Sequence, residues 1–155
     1  NEDRDKVSNT IRFLNLEDFA FRRFNQLSGG ERQRVIIAKA IAQDPNLFLL
    51  DEPTSDLDLK NQIEIMKRLR ELVSNPESPK SALIAIHDIN IAARFSDRIL
   101  LLHEGEIVAS GKPREVLTQE NIAMVFGVTS TIEFREYDSY IRVMIEDEIK
   151  EEIEV

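Results

Sequence analysis

Apolar positions along the chain alternate between helical and strand-like spacing. Val7, Ile11 and Leu14 recur near one helical face, which predicts a helix over residues 3–14. Phe13, Phe19, Phe21 and Phe24 follow and read as a small helical core rather than an aromatic binding site. Ser28 and Glu31 have the spacing of a capping box at the head of the next helix, which runs through Val35, Ile36, Ala40 and Ile41. Asp44-Pro45 ends it, because proline has no N–H to continue the ladder. Leu47-Phe48-Leu49-Leu50, bounded by Pro45 and Pro53, shows no polar alternation and predicts a buried strand of a parallel sheet.

A long helix is expected over residues 59–73, with Ile63, Met66, Leu69, Leu72 and Val73 as its buried stripe. Residues 75–79 carry two prolines and read as a loop. Residues 82–86 predict a second buried strand, 89–95 a short helix and 99–102 a third strand, and Glu104-Gly105 turns into a hairpin partner at 107–109. Two short helices are expected at 114–117 and 121–126. Ile132 and Phe134 alternate on one side of Tyr137-Asp138-Ser139-Tyr140, and Ile141, Val143 and Ile145 on the other, as in a β-hairpin. Strands alternating with helices predict an α/β fold with right-handed crossovers. No internal repeat is visible.

Composition narrows the function classes. A hydrophobic fraction of 42% with 32% charged residues belongs to a folded chain, not a disordered one. The net charge of −9 argues against general nucleic-acid binding, which needs clustered Lys and Arg. The absence of cysteine excludes disulfides, thiolate zinc sites, iron–sulfur clusters and cysteine nucleophiles. No apolar run approaches the roughly 20 residues of a membrane span, so a membrane role would be peripheral. No secretory signal is visible, and the chain opens with Asn1, as a piece of something longer would. The charge is uneven. Residues 146–155 carry six acids and one base, a net −5, which leaves −4 for the rest. Much of the acidity therefore sits in a tail and not on the surface where chemistry is sought.

In open parallel sheets functional groups gather beyond the carboxyl ends of strands. Asp51-Glu52 and His87-Asp88 occupy such places. Adjacent carboxylates there suit two tasks. One can hold Mg²⁺ through water, because this ion wants hard oxygen ligands and dehydrates reluctantly. The other can orient or deprotonate an attacking water. Taken alone, the pair is as readily a polar turn closed by Pro53, and His87 a structural histidine. Ser28-Gly29-Gly30 adds free N–H groups at a helix start, a place that favours anions, although a Ser-x-x-Glu match by itself often means only a cap.

The ordered combination is more specific than its parts. Residues 27–34 read LSGGERQR, residues 47–58 read LFLLDEPTSDLD, and Ile86-His87-Asp88 follows one helix and one strand later. This set resembles the ATP-binding-cassette (ABC) ATPases over nearly the whole chain. LSGGERQR is similar to their signature motif, LFLLDE to their Walker B strand with its glutamate, Ser55-Asp56-Leu57-Asp58 to their D-loop, and His87 to their switch histidine. The resemblance implies two such domains closing head to tail around two ATP molecules. Ser28, Gly29 and Gly30 would then face the partner's nucleotide, supported by Gln33. Asp51 would assist Mg²⁺, Glu52 would act as general base, His87 would contact the γ-phosphate, and Asp58 would link the two sites. Asp56 departs from the family pattern, where an uncharged residue is common.

The Walker A loop, G-x-x-x-x-G-K-[ST], is missing from the 155 residues. The stretch GEIVASGKP from Gly105 to Pro113 is a near match only. Its spacer is one residue too long, Pro113 replaces the Ser or Thr, and it follows a hairpin strand. The expected Q-loop glutamine is absent too. The chain thus resembles the C-terminal part of such an ATPase. The implied fold is a partial P-loop NTPase-like, mostly parallel sheet flanked by helices. Residues 1–26 would belong to the helical signature subdomain, 27–128 to the ATPase core, and 129–155 to a hairpin and acidic tail. The isolated chain is expected neither to bind ATP tightly nor to hydrolyse it, and to expose an apolar sheet edge.

Residues 88–95 (DINIAARF), Glu115-Val116-Leu117-Thr118 and Val125-Phe126-Gly127-Val128 resemble importer ATPases for iron–siderophore, haem, cobalamin and related metal chelates. That implies membrane permease partners, a place on the cytoplasmic face of the membrane and no nucleic acid. Two other readings stay open: a short or split module that offers its signature in trans without hydrolysing ATP, and a DNA-repair type ATPase of the same superfamily. No heptad run precedes Leu27 to favour the latter.

Overall fold

A computed structural model describes residues 2–135 and 140–149, with the side chains of Arg135 and Tyr140 left aside. The chain falls into two compact units, Asn1–Ile86 and His87–Val155. This division by packing cuts through the stretch that the motifs group together.

In the first unit the order is α1 (Glu2–Phe13), two short 3-10 turns (Glu17–Phe19 and Phe24–Gln26), α2 (Gly29–Ala42), β1 (Leu47–Asp51), α3 (Leu59–Val73) and β2 (Ser81–Ala85). The expected helices and strands are present within one or two residues at each end. α1 packs on α2 and α3 on β2. Arg34 fastens the helices. Its Nη2 donates to the Leu14 carbonyl at 2.7 Å and lies 3.6 Å from the Glu64 carboxylate, which also accepts from Asn15 Nδ2 at 2.8 Å. Leu14, Ile37, Ile65, Met66 and Leu69 are buried. Within the α3 stripe, Ile63, Leu72 and Val73 are only half-buried, and Ile65 takes the buried place instead.

β1 and β2 run parallel, in register from Leu47 opposite Ser81 to Asp51 opposite Ala85. The expectation of burial on both faces does not hold among the described residues. Phe48 is 2% exposed, whereas Leu49 is 70% exposed. Side chains alternate across a strand, and the register sets Leu49 beside Leu83, so Leu47, Leu49 and Leu83 form one exposed apolar face. The run lacks polar alternation because it is written for two covered faces, and only one is covered here.

The second unit contains α4 (Ile89–Phe95), β3 (Ile99–His103), β4 (Glu106–Gly111), α5 (Pro113–Val116), α6 (Gln119–Phe126), β5 (Val128–Arg135) and β6 (Tyr140–Glu148). β3 pairs with β4 and β5 with β6, both antiparallel. Among the described residues the strands form one parallel pair and the two hairpins that the sequence predicts, within a mixed α/β fold. The cause is local. Glu104 and Gly105 both take positive φ (49° and 84°), a two-residue turn that folds β4 straight back on β3. Ala93, Leu117, Ile122, Ile141 and Val143 form the core of this unit. Gly127, at φ 64°, ends α6 in the left-handed conformation and releases the chain into β5. Asn90 clamps α4 to β6, donating to the Val143 carbonyl at 3.0 Å and accepting from its N–H at 2.8 Å. Tyr137-Asp138-Ser139 and the acidic residues beyond position 149 lie outside the described residues. Among the described residues no helix is long and apolar enough to cross a membrane.

Candidate functional site

The first site element is the start of α2. Ser28 is extended (φ −63°, ψ 167°) and caps the helix: its Oγ accepts from the Glu31 N–H at 3.3 Å, while its own N–H donates to the Glu31 carboxylate at 2.7 Å. These bonds to Ser28, with Arg22 nearby, hold the Glu31 carboxyl below the usual carboxylate range. Ser28 thus serves Glu31 both through its backbone N–H and through its side chain, which closes the capping box. The N–H groups of Gly29 and Gly30 stand in the first turn, where a helix has no internal acceptors for them. Gly30 also answers a packing demand. A Cβ there would stand 3.3 Å from both the Asp56 carbonyl oxygen and Leu57 Cδ2, so the helix start seats directly on the loop after β1.

That loop is the second element. Asp51 ends β1 and is exposed. Glu52 follows at φ 41°, a left-handed backbone uncommon for a non-glycine residue and shared here with Asn15, Asp44 and Glu104. Its N–H donates to the Ala85 carbonyl at 3.0 Å, carrying the parallel ladder one residue beyond the strands. Its carbonyl accepts from the Ser55 N–H at 3.3 Å, Ser55 Oγ at 3.1 Å and Gln33 Nε2 at 3.4 Å. Pro53 and Thr54 are buried beneath the turn. Gln62 Nε2 donates to the carbonyls of Thr54 (3.2 Å) and Leu57 (3.1 Å). Asp58 caps α3, accepting from the Asn61 N–H at 2.8 Å and from Asn61 Nδ2 at 3.0 Å. Asp56 is exposed beside the helix start, its Cβ 3.9 Å from where a Cβ on Gly29 would be.

The first unit thus brings Ser28, Gly29, Gly30 and Gln33 to the loop that carries Asp51, Glu52 and Asp58. His87 opens the second unit and is exposed. Asp88, next to it, caps α4 by accepting from the N–H groups of Asn90 and Ile91, both at 2.9 Å. Among the described residues no three His, Asp or Glu side chains gather as a metal cage. Two exposed neighbouring carboxylates at the end of β1 suit an ion that keeps most of its waters and takes one or two protein oxygens.

The sequence pattern of the family described as "ABC transporter" matches residues 1–55. The ABC transporter ATP-binding protein MJ0089 of Methanocaldococcus jannaschii is 48% identical over 123 residues, 79% of this chain and 47% of that protein. The petrobactin import ATP-binding protein FpuC of Bacillus anthracis is 42% identical over 127 residues, 82% of this chain and 46% of that protein. Among solved structures, an inward-facing ABC transporter described as metal-chelate type superposes with a TM-score of 0.77 at 31% identity, over 92% of this chain and 56% of that one. The dimeric ATP-binding cassette MJ0796 with ADP and Pi superposes with a TM-score of 0.64 at 42% identity, over 72% of this chain and 47% of that one.

The chain belongs to the ABC transporter ATPase family. It spans about half the length of the curated relatives it matches. Within this ABC ATPase chain some structural contributors escaped the sequence reading. Gln62, half-buried on α3, staples the loop, and nothing in the sequence marks it as such until α3 is placed. The close packing of Gly30 on the loop of its own chain is a further such feature. Asn61, four residues after Leu57, is a partner that the Asp58 cap could have announced.

Proposed function

We propose that this chain is the C-terminal portion of the ATP-hydrolysing subunit of an ABC importer, one that powers uptake of a metal chelate. The observation that carries the reading is the helix start at Ser28–Gly30 seated on the turn that presents Glu52. One compact unit then holds both the general base of one site and the phosphate-facing amides for another. Two copies arranged head to tail would each lend Ser28, Gly29 and Gly30 to ATP held by the other. Gln33 would support that contact. Glu52 would take the proton of the attacking water, its backbone held by the turn bonds to Ser55, Gln33 and Ala85. His87 would hold the γ-phosphate and that water in line, and Asp58 would carry contact between the sites. Asp51 would hold Mg²⁺ through water, and the ion would supply charge neutralisation on the phosphate oxygens. The subunit would dock on permease subunits at the cytoplasmic face of the membrane. The names of the petrobactin import and metal-chelate type proteins support the importer class.

In the assembled ATPase, Glu52→Gln is expected to lower turnover by about a hundredfold or more while an ATP-bound dimer persists on size-exclusion chromatography. Turnover at the parent rate would remove Glu52 from the role of base. A second reading is a split module that only offers its signature. Both readings expect no micromolar Mg·ATP binding by the 155 residues alone in calorimetry. They part on whether Glu52→Gln changes turnover in the assembly.

A further inference from the structure

We infer that Gln33 is a positioning residue for Glu52 of its own chain, so that the helix start bearing Ser28–Gly30 and the turn bearing the base move as one piece. The inference rests on the functional reading above for its catalytic consequence, but its structural content is independent of that reading.

Three bonds converge on the Glu52 carbonyl, and they differ in origin. The Ser55 N–H and Ser55 Oγ lie three residues away and shape the turn from within. Gln33 Nε2 comes from α2, nineteen residues upstream, and so fixes where the turn sits relative to that helix. The turn needs such support, because Glu52 holds φ 41° without being glycine. A backbone of this kind persists only where its surroundings over-determine it. Gly30 supplies a second contact on the same side. The 3.3 Å approach that a Cβ there would make to the Asp56 carbonyl and Leu57 leaves little slack between α2 and the loop. The helix start is pressed on the far end of the loop and Gln33 is tied to its near end. A shift of α2 when its amides engage an anion would therefore be passed to the backbone of Glu52.

Gln33 is half-buried and Glu52 exposed, so replacing Gln33 should leave the fold intact. Two variants separate the tie from bulk. Gln33→Met keeps length and removes the donor, and Gln33→Lys keeps a donor of similar reach. In the 155-residue chain, Gln33→Met is expected to move the carbonyl carbon resonance of Glu52 toward lower frequency and to speed amide exchange at Ser55, with resonances of the second unit unchanged. Gln33→Lys should recover part of both effects. In the assembled ATPase, Gln33→Met is expected to lower kcat about tenfold, by a larger factor than it raises KM for Mg·ATP. An unmoved Glu52 carbonyl resonance in Gln33→Met overturns the inference whatever the activity. So does a KM rise at constant kcat, which would mean that Gln33 serves nucleotide binding alone. If the resonance moves while Glu52→Gln still turns over at the parent rate, the tie stands and the catalytic reading of Glu52 falls.

Discussion

The hairpin β5–β6 of the second unit and the parallel pair β1–β2 of the first finish in opposite ways. In the second, β5 and β6 close over α4 and α6, and the apolar residues of the hairpin's inner face, Ile141 and Val143, join a core with Ile122. In the first, the parallel pair β1–β2 covers Phe48 but leaves Leu47, Leu49 and Leu83 facing outward. A hairpin can satisfy both its strands from neighbouring sequence, whereas a parallel pair depends on what is laid across its faces. β3 and β4 of the second unit also leave Leu100, Leu102 and Ile107 exposed, so each unit carries an uncovered apolar strand face, and the one in the first unit lies on the strands that lead to Glu52. Contiguous exposed leucines on a sheet mark a surface made to be covered.

Truncation in the two cores should give the largest contrast. Ile122 is 0% exposed, and Ile122→Ala is expected to cost about 3–4 kcal/mol, from lost transfer energy and the cavity left behind. Leu49, at 70% exposed, should tolerate Leu49→Ala within about 0.5 kcal/mol. Urea unfolding of both variants measures the difference. A large loss from Leu49→Ala would mean that the outward face is covered in solution, by a second copy for instance.

A smaller effect tests that face directly. The pair Leu49→Lys and Leu83→Lys places two charges side by side on neighbouring strands. It should reduce concentration-dependent association of the chain in sedimentation runs, and change its stability by less than about 1 kcal/mol. In the assembled ATPase the same pair should instead prevent assembly, because two unpaired ammonium groups would be buried where apolar contact is needed. Association unchanged in the isolated chain would show that the leucines are not its adhesive surface.

Legibility followed the range of the forces involved. Local signals were readable: the Ser28–Glu31 box, the proline stop after α2, the span of α3, and the Glu104-Gly105 turn. Each depends on a few adjacent residues. The candidate site was readable as an ordered set of motifs, down to the adjacency of Asp51 and Glu52. What escaped depends on residues far apart in the chain. The uncovered face of β1 cannot be read from an apolar run, because the run states what the strand wants and not what it receives. The Gln33 tie to Glu52 needed the placement of α2 over the loop. Ile65 joins Met66 and Leu69 in the buried stripe of α3 while Ile63, Leu72 and Val73 stay half-buried, a distinction that periodicity alone does not make.

The smallest effect lies at the junction of α2 and β1, where the first unit is tied by charge. Lys80 Nζ, at the foot of β2, donates to Asp44 Oδ1 at 2.6 Å and to the Pro45 carbonyl at 3.2 Å, and its side chain is nearly buried. The hydrogen bond and charge of Lys80, with Lys6 adding to them, hold the Asp44 carboxyl below the usual carboxylate range. The sign follows from that direction. A carboxylate whose folded value is depressed contributes stability that is complete above its unfolded value of about 4, and loses it as pH falls through the folded value. Asp44→Asn should therefore lower stability at pH 7, where the contribution is complete, and cost progressively less as pH falls below about 4, which flattens the acid limb of the stability curve. Asp44 is itself half-exposed, so screening by solvent keeps the contribution below about 1 kcal/mol. Urea midpoints of parent and variant at pH 3 and pH 7 read the effect as a smaller gap between the two pH values in the variant. An equal gap in both proteins would show that the pair tethers β2 to the end of α2 without contributing to stability.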